Sequence, residues 1–562
     1  MSISTDPNAA ANPVPLVTLL GVENILTSDT SITNVPDGLC STIVNQSSCH
    51  FVNLPELVDR MELPRIPICR PAMMRLLCNP PTSVETVEER RKLLAAFRTN
   101  GRLRRAVDTI ETLLVKEQST LLTGYEEMIG IFSLKSMANH KVETLFQDIT
   151  NFLRSFLFFM PEIGRGRAHY DKIMSSISSL GESDSPTLKK LSKAAQSLSS
   201  SEDYKYINRF LWLTFRNILR PGEDPKFTPR LPMTPGSLDY YSGLGFLCGL
   251  GASLFSLEMN KMSSTFNLEH PDMVFQAVIV PACLLIASAL PKILSSRGGE
   301  RFIKAVSKSS LAAGFDLIGE LLALKALADF DRRTEVMGWK HPDLIESPGY
   351  RMEAKGLRHP LLELKGTSVV PNDVKIDAGT PTVITGINSG GKSTLVTSIF
   401  LNQLLLQNGL RIPVDSASVA IADRLHYRGP LFNGLDEEGR YGAELKDTKT
   451  ALTSSTRRSL VIFDEICGGT SDNERLDISY AVIEAMRTME ISTLLVTHDR
   501  VLAQRLADNN LAKPITFGLG ETGDPDYIVR DGIGKSSYAD RIARKLQFTP
   551  SDIRRYAEEN RV

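Results

Sequence analysis

Read for the spacing of apolar and polar positions, the chain changes texture several times. Residues 1–15 (MSISTDPNAAANPVP) are small, polar and proline-containing, which predicts a disordered tail. Residues 16–70 mix short apolar runs with Asn, Ser, Gly and Pro and predict a small α+β or irregular cap. From Pro71 the spacing turns helical. Leu93, Leu94, Phe97, Leu103, Val107, Ile110, Leu113 and Leu114 recur at helical intervals. Ahead of them, Thr82 and Ser83 precede an acidic first turn, a helix start signal. Helical segments are expected to run on to about Leu157 and again from Tyr204 to Leu219. Between these, the Ser- and Lys-rich stretch 175–201 predicts a helix with a surface linker. Residues 309–332 (SSLAAGFDLIGELLALKALADFDR) predict a strong amphipathic helix. Residues 71–338 thus read as a mainly α-helical core or lever domain.

The period changes after Trp339. A turn-rich passage, 339–373, leads into alternating strand and helix signals that run to about Arg530. That alternation predicts an α/β domain with a parallel sheet over 339–533, followed by a helical segment at 534–562.

Two stretches, Tyr240–Leu257 and Met273–Pro291, contain no charged residue. Each has about the 18–20 residues that can span a bilayer. Lys226 and Arg230 precede the pair and Lys292, Arg297, Arg301 and Lys304 follow it, a pattern that suits a membrane hairpin over 240–291. The competing reading is a pair of helices buried in a core. Four glycines in the first stretch, and Gln276 and Pro281 in the second, favour the core.

With 562 residues the chain has room for about three or four domains. Its 42% hydrophobic and 23% charged residues are those of a core-forming globular protein. The net charge of −1 announces no polyanion partner, so nucleic-acid binding would need a local basic face. Arg165, Arg167, Lys189, Lys190, Lys193, Lys205, Arg209 and Arg216 are the candidates for one, although at this density a solvated face is the commoner outcome. The seven cysteines include no C-x2-C pair, which argues against a zinc site or a disulfide framework. The first Lys or Arg is Arg60, so neither a signal nor a transit peptide is expected. A cytoplasmic or, in a eukaryote, nuclear location is expected.

The chemistry concentrates in TVITGINSGGKST, Thr382–Thr394. A β-branched run leads into a glycine-rich loop that opens an apolar helix, and Gly386-x4-Gly391-Lys392-Ser393 is the phosphate-binding P-loop pattern. Glycines, Gly390 among them, let backbone N–H groups curl round phosphate oxygens, while the helix N-terminus adds a positive dipole end. Lys392 then reaches the β- and γ-phosphates and the Ser393 hydroxyl ligates Mg²⁺. About 70 residues on, an apolar strand ends in Asp464-Glu465. Asp464 is placed to hold Mg²⁺ through water and Glu465 to polarise the attacking water. A third strand, 492–496, ends in Thr497-His498, where the imidazole can meet the γ-phosphate.

These motifs resemble the ATPase domain of the MutS family, the ABC-like ATPases of DNA mismatch repair. The likeness rests on Gly386–Thr394, on Asp464-Glu465-Ile466 with Gly469-Thr470-Ser471, and on Thr497-His498. It extends to Arg358-His359-Pro360 and Val370-Pro371-Asn372-Asp373 upstream, and to Gly534–Ala539 and Thr549-Pro550 downstream. Over 79–114 it is fainter. The resemblance implies an α/β P-loop (ABC-like) ATPase domain preceded by helical levers. Asn388, Gly391, Lys392, Ser393 and Thr394 would hold phosphate and metal, Asn372 would lie near adenine, and His498 would serve the γ-phosphate. The C-terminal segment 534–562 would dimerise, as a homodimer or a MutS-like heterodimer, and the clamp would close on duplex or branched DNA.

Departures qualify this. Val369 stands where the family has an adenine-stacking aromatic. The segment 439–444 is short and lacks an expected serine, and Cys467-Gly468 replaces Gly-Arg. With about 70 residues before the levers, the resemblance implies a reduced paralogue lacking the mismatch-reading and connector domains. A membrane-tethered ATPase, or one acting on the ribosome or another RNA, is the alternative.

Overall fold

Ser83 starts the first long helix as the sequence expects: its hydroxyl accepts the Thr86 N–H at 3.3 Å. The computed structural model describes residues 43–44, 46–64, 66, 68–114, 170–182, 185–202, 204–205, 310–387, 390–429, 439–466, 472–520, 524–534, 544 and 546–560. They belong to two units, Met1–Ser28 with Arg105–Ile318, and Asp29–Arg104 with Gly319–Val562.

The helices preceding the sheets are α1 (Gln46–Phe51), α2 (Leu54–Asp59), α3 (Cys69–Cys78), α4 (Val84–Thr99), α5 (Pro186–Ser200) and α6 (Ser310–Val336). α4 buries Val87, Leu93, Leu94 and Phe97. Asn100 then restarts a helix at 101–114 by accepting the N–H groups of Arg102 and Leu103 at 3.0 and 3.1 Å. In the first unit, α5 buries Leu188, Leu191 and Ala195 on one face and exposes Lys189, Lys190 and Lys193 on the other. α6 buries a wide apolar face, residues 321–324, 326–328 and 330, and leaves a narrow stripe of Lys325, Asp329 and Arg332 toward solvent. Gly319 explains one close approach, since a Cβ there would stand 3.0 Å from that of Ala72 on α3.

The remaining strands and helices belong to the second unit. The strands are β1 (Asp343–Ile345), β2 (Met352–Leu357), β3 (Asn372–Ile376), β4 (Thr382–Gly386), β5 (Ser416–Ala420), β6 (Leu425–Arg428), β7 (Leu460–Asp464), β8 (Ser492–Val496), β9 (Lys513–Leu519) and β10 (Pro525–Asp531). The helices among and after them are α7 (Pro360–Leu364), α8 (Lys392–Gln407), α9 (Gly439–Ser454), α10 (Asp472–Thr488), α11 (Arg500–Asp508) and α12 (Pro550–Glu559).

Six strands form a sheet in the order β10-β9-β4-β8-β7-β6, parallel except for β10. β7 and β8 are buried along their whole length, as strands covered on both faces must be. Val383, Val461, Phe463 and Leu495 pack against Ile483 and Met486 of α10 and Leu502 and Leu506 of α11. A second sheet, β1-β5-β2-β3, is where the fold departs from a purely parallel reading. Its only parallel pair is β1 with β5. Most of β2 alternates buried and exposed residues, the mark of a strand with one covered face.

α8 carries polar residues into the core and satisfies them there. The Gln407 amide donates to Pro81 O at 2.8 Å and Ala422 O at 2.9 Å, and its oxygen accepts the Ala422 N–H at 3.2 Å. These bonds tie the loop after β5 to the helix that opens at the phosphate loop. Among the described residues no helix is long and apolar enough to cross a membrane. The charge-free 240–291 stretch lies outside the described residues.

Three histidines of the second unit, His341, His359 and His426, are pushed by burial from 6.5 down to about 4. The unfolded chain therefore takes up protons first. Stability is full above the ordinary histidine pKa and falls as pH drops toward 4, by up to about 1.4 kcal/mol per pH unit per histidine. Urea midpoints measured across this window are expected to decline, and the decline to shrink in His426→Gln.

Candidate nucleotide site

The site forms where three parallel strands end at one level. β4 pairs Ile384 with Val496 of β8, and β7 pairs Asp464 with the same Val496. The loop after β4, the carboxylate ending β7 and the histidine beyond β8 therefore meet at one carboxyl edge, where ligands of such sheets gather.

Gly386 and Gly391 hold the loop's shape, with φ of 127° and 99°. A Cβ at Gly386 would stand 2.6 Å from the Phe517 carbonyl, so only glycine fits. Gly390 turns its N–H to Ile387 O at 3.1 Å, and Gly391 opens α8. Lys392 is buried, and its ammonium donates to the carbonyls of Gly386 and Ile387 at 3.1 and 2.8 Å. Burial lowers its pKa, while the Asp464 and Glu465 carboxylates pull it back up. Ser393 and Thr394 are exposed on the first turn of α8.

Asp464 is buried at the end of β7. Glu465, next in the chain, has φ of 67°, a left-handed conformation uncommon for such a side chain. Its N–H donates to Val496 O at 3.0 Å, which holds the kink and turns the carboxylate toward β8. There His498 Nε2 lies 3.8 Å from Glu465 Oε1, a Coulombic contact longer than a hydrogen bond. His498 itself is set by its neighbours. The Thr497 N–H donates to Ile384 O at 3.1 Å, and Asp499 caps α11 through the N–H groups of Val501 and Leu502. Burial and then the Lys392 charge depress the His498 pKa, against the pull of Glu465 and Asp464. The imidazole is therefore neutral at pH 7.

Asn372 lies at the start of β3, where its amide joins two strands. It donates to Tyr527 O at 2.9 Å and accepts the Val529 N–H at 2.8 Å. This bracket holds Tyr527, whose φ is 58°, over the loop: a Cβ on Gly391 would come within 3.3 Å of its ring. Tyr527 and Tyr427 are the two site neighbours that sequence reasoning misses. The only signal for Tyr527 is an aromatic in a short, polar edge strand. Tyr427, buried on β6 opposite Ile462, shares a face with Asp464, and its sequence signal is nil. Asn388, Cys467, Gly468, Gly469, Thr470 and Ser471 lie outside the described residues. Val369 is described but supplies no aromatic face.

A phosphate-loop helix and an acidic strand end at the carboxyl edge of a parallel sheet define a P-loop nucleotide-binding domain. Residues 382–561 match the family model of MutS domain V, which makes this part of the chain a MutS-type domain. It is 33% identical over 227 residues to a DNA mismatch repair protein MSH3 of Yarrowia lipolytica, covering 40% of this chain and 22% of that one. It is 34% identical over 255 residues to the MSH3 protein of Phaeosphaeria nodorum, covering 43% and 22%. It is also 31% identical over 245 residues to a DNA mismatch repair protein MutS of Symbiobacterium thermophilum, covering 42% and 28%. The chain thus spans about a quarter of the length of these relatives.

The cationic loop accounts for part of the histidine's depressed pKa. In a pH series of NMR spectra His498 is expected to titrate below the ordinary histidine value, and Lys392→Met to move it upward; an unchanged or lower value would contradict the electrostatics.

Proposed function

We propose that this chain binds ATP with Mg²⁺ at the loop 386–394 and hydrolyses it, the cycle driving a clamp-like closure on duplex or branched DNA. One observation carries the reading: Lys392, Asp464, Glu465 and His498, distant in sequence, interact at one sheet edge.

The roles follow from the chemistry of each group. Gly386, Asn388, Gly390, Gly391 and Thr394 form the phosphate cradle, and Lys392 exchanges its two carbonyl contacts for the β- and γ-phosphates. Mg²⁺ takes one or two carboxylates together with phosphate and water, so the Asp464 carboxylate and the exposed Ser393 hydroxyl are a fitting donor set. When bound, the ion neutralises charge on the phosphates. Glu465 polarises the attacking water, and neutral His498 offers a hydrogen bond to the γ-phosphate. Asn372 contributes near the base by holding Tyr527, an aromatic face that makes good the loss at Val369.

Lys392→Ala is expected to abolish tight ATP binding in a fluorescent-nucleotide titration, because a charge-assisted phosphate contact is lost. Glu465→Gln is expected to leave binding intact and stall turnover; undiminished turnover removes Glu465 from this role.

DNA as the partner is supported by the relatives, whose names describe DNA mismatch repair proteins. Lys189, Lys190, Lys193 and Lys205 are exposed and available for phosphate contact, whereas Arg165, Arg167, Arg209 and Arg216 lie outside the described residues. A homodimer or MutS-like heterodimer is supported by the apolar residues that α12 and its approach leave exposed, Leu546, Phe548 and Ile553. Duplex and junction binding are expected to weaken steeply with salt, the log–log slope being about −0.9 per phosphate contacted. Lys189→Glu with Lys193→Glu is expected to flatten that slope. Absent or salt-independent binding rejects the DNA reading.

A further inference from the structure

The six-stranded sheet ends at β6, an edge strand whose outward backbone groups need partners. They find them far upstream, in a strap made of Ile43, Val44 and α1. The Leu425 N–H donates to Ile43 O at 2.7 Å, and Val44 forms a parallel bridge with Leu425. The Ser48 hydroxyl then plays both parts of a strand neighbour: it accepts the Tyr427 N–H at 2.8 Å and donates to the Tyr427 carbonyl at 3.2 Å. Phe51 covers Gly429, where a Cβ would meet its ring at 2.8 Å. A bridge, a hydroxyl and a ring hold this strap in place of a full ladder. Segments held by so few backbone bonds are the ones that open locally while the rest of a fold stays closed.

Cys49, the residue after Ser48, meets α3. Its Sγ lies 3.3 Å from the Sγ of Cys78, the last residue of that helix. Both side chains are wholly buried, and neither is in a disulfide. As thiols they share a weak S–H···S contact that packs like any small apolar pair. A disulfide bond is about 2.05 Å long, so the two sulfurs have only about 1.3 Å to close, within reach of small side-chain rotations. Cys69 cannot take the place of either. It opens α3 nine residues before Cys78, two and a half turns and about 13 Å away along the axis.

We propose that Cys49 and Cys78 are a redox-active thiol pair with peroxide as the oxidant, and that their disulfide staples the strap over the edge of β6. Opening of the strap carries Cys49 into solvent. Its thiolate attacks one peroxide oxygen and the O–O bond breaks, giving the sulfenic acid and a hydroxide that takes up the thiol proton as water. When the strap closes, the Cys78 sulfur attacks the Cys49 sulfur. The S–O bond breaks, the S–S bond forms, and the Cys78 proton leaves with the hydroxide as a second water. Two thiols lose two electrons to one hydrogen peroxide, and the products are one disulfide and two waters. Closure also buries the sulfenic sulfur away from a second peroxide. A dithiol reductant reverses the step by exchange. The cross-link joins positions 49 and 78, so a strap that opens alone becomes one that opens only with α3.

The test treats the full chain with hydrogen peroxide near neutral pH, alkylates the remaining thiols, and compares digests by mass spectrometry with and without dithiothreitol. A peptide pair linked through Cys49 and Cys78 is expected, lost on reduction and absent from Cys49→Ser and Cys78→Ser. Hydrogen exchange then reads the staple, since the Leu425 and Tyr427 amides are bonded to the strap. In the disulfide form the stretch 425–427 is expected to exchange at least about tenfold more slowly, a protection that dithiothreitol removes. Both measurements are made on the wild-type chain, so neither depends on a variant folding. Peroxide treatment that leaves both thiols intact, carries either to sulfinic acid without a link, or pairs one with another cysteine overturns the redox pair. A link that forms only in urea belongs to the unfolded chain and overturns it equally. A native link without slower exchange at 425–427 overturns the staple.

Discussion

A buried ammonium sets the terms for the rest of the domain. Lys392 is enclosed by its own loop, and an amine withdrawn from water needs carbonyl dipoles and counter-charges to stay protonated. The dipoles are those of Gly386 and Ile387, and they require a loop curled tightly enough to aim both carbonyls inward. The curl requires positive φ at Gly386 and Gly391. The counter-charges are Asp464 and Glu465, and they require β7 to end level with β4, which the shared pairing to Val496 enforces. Glycine spacing, strand register and the kink at Glu465 all answer to one charge.

The same charge organises the far side of the edge. His498 is pressed toward neutrality by burial and by Lys392, and the N-cap at Asp499 keeps it from swinging away. A neutral imidazole beside a cationic lysine and two carboxylates balances the site before any phosphate arrives. Entry of a polyanion would relieve Lys392 of its carbonyl contacts and reverse the field that depresses the histidine. The loop and the histidine would then respond together, and both lie against β4, the strand that feeds α8.

Much of this was legible in the sequence, and the reasons are local. The P-loop spacing, the apolar run before Asp464 and the Thr497-His498 end of β8 depend on residues within a few positions of one another. The Ser83 cap of α4 is local in the same way. The second sheet was less legible, because a short antiparallel strand such as β2 differs from a parallel one chiefly in what covers its faces. Tyr527 and Tyr427 could not be found by pattern. One acts through a left-handed backbone held by Asn372, from 155 residues away, and the other through a strand register. Asn372 was singled out by family likeness, yet its amide binds the backbone of β10, a use that only the folded chain reveals.

Closing the sheet edge with residues 43–51 has a kinetic consequence. Ser48 and Tyr427 are separated by 379 positions, so on the ribosome the early segment waits while its partner strand is made. At about 5–20 residues per second that wait is roughly 20–75 s, far longer than local helices and turns take to form. Throughout it, Val44, Cys49, Val52 and Leu54, all buried in the finished chain, have no strand edge to cover them. The segment must stay unaggregated by being short, by dwelling against α3 through the contact of Cys49 with Cys78, or by being held by a chaperone. One edge of the six-stranded sheet is thus closed by a segment made 379 residues before its partner.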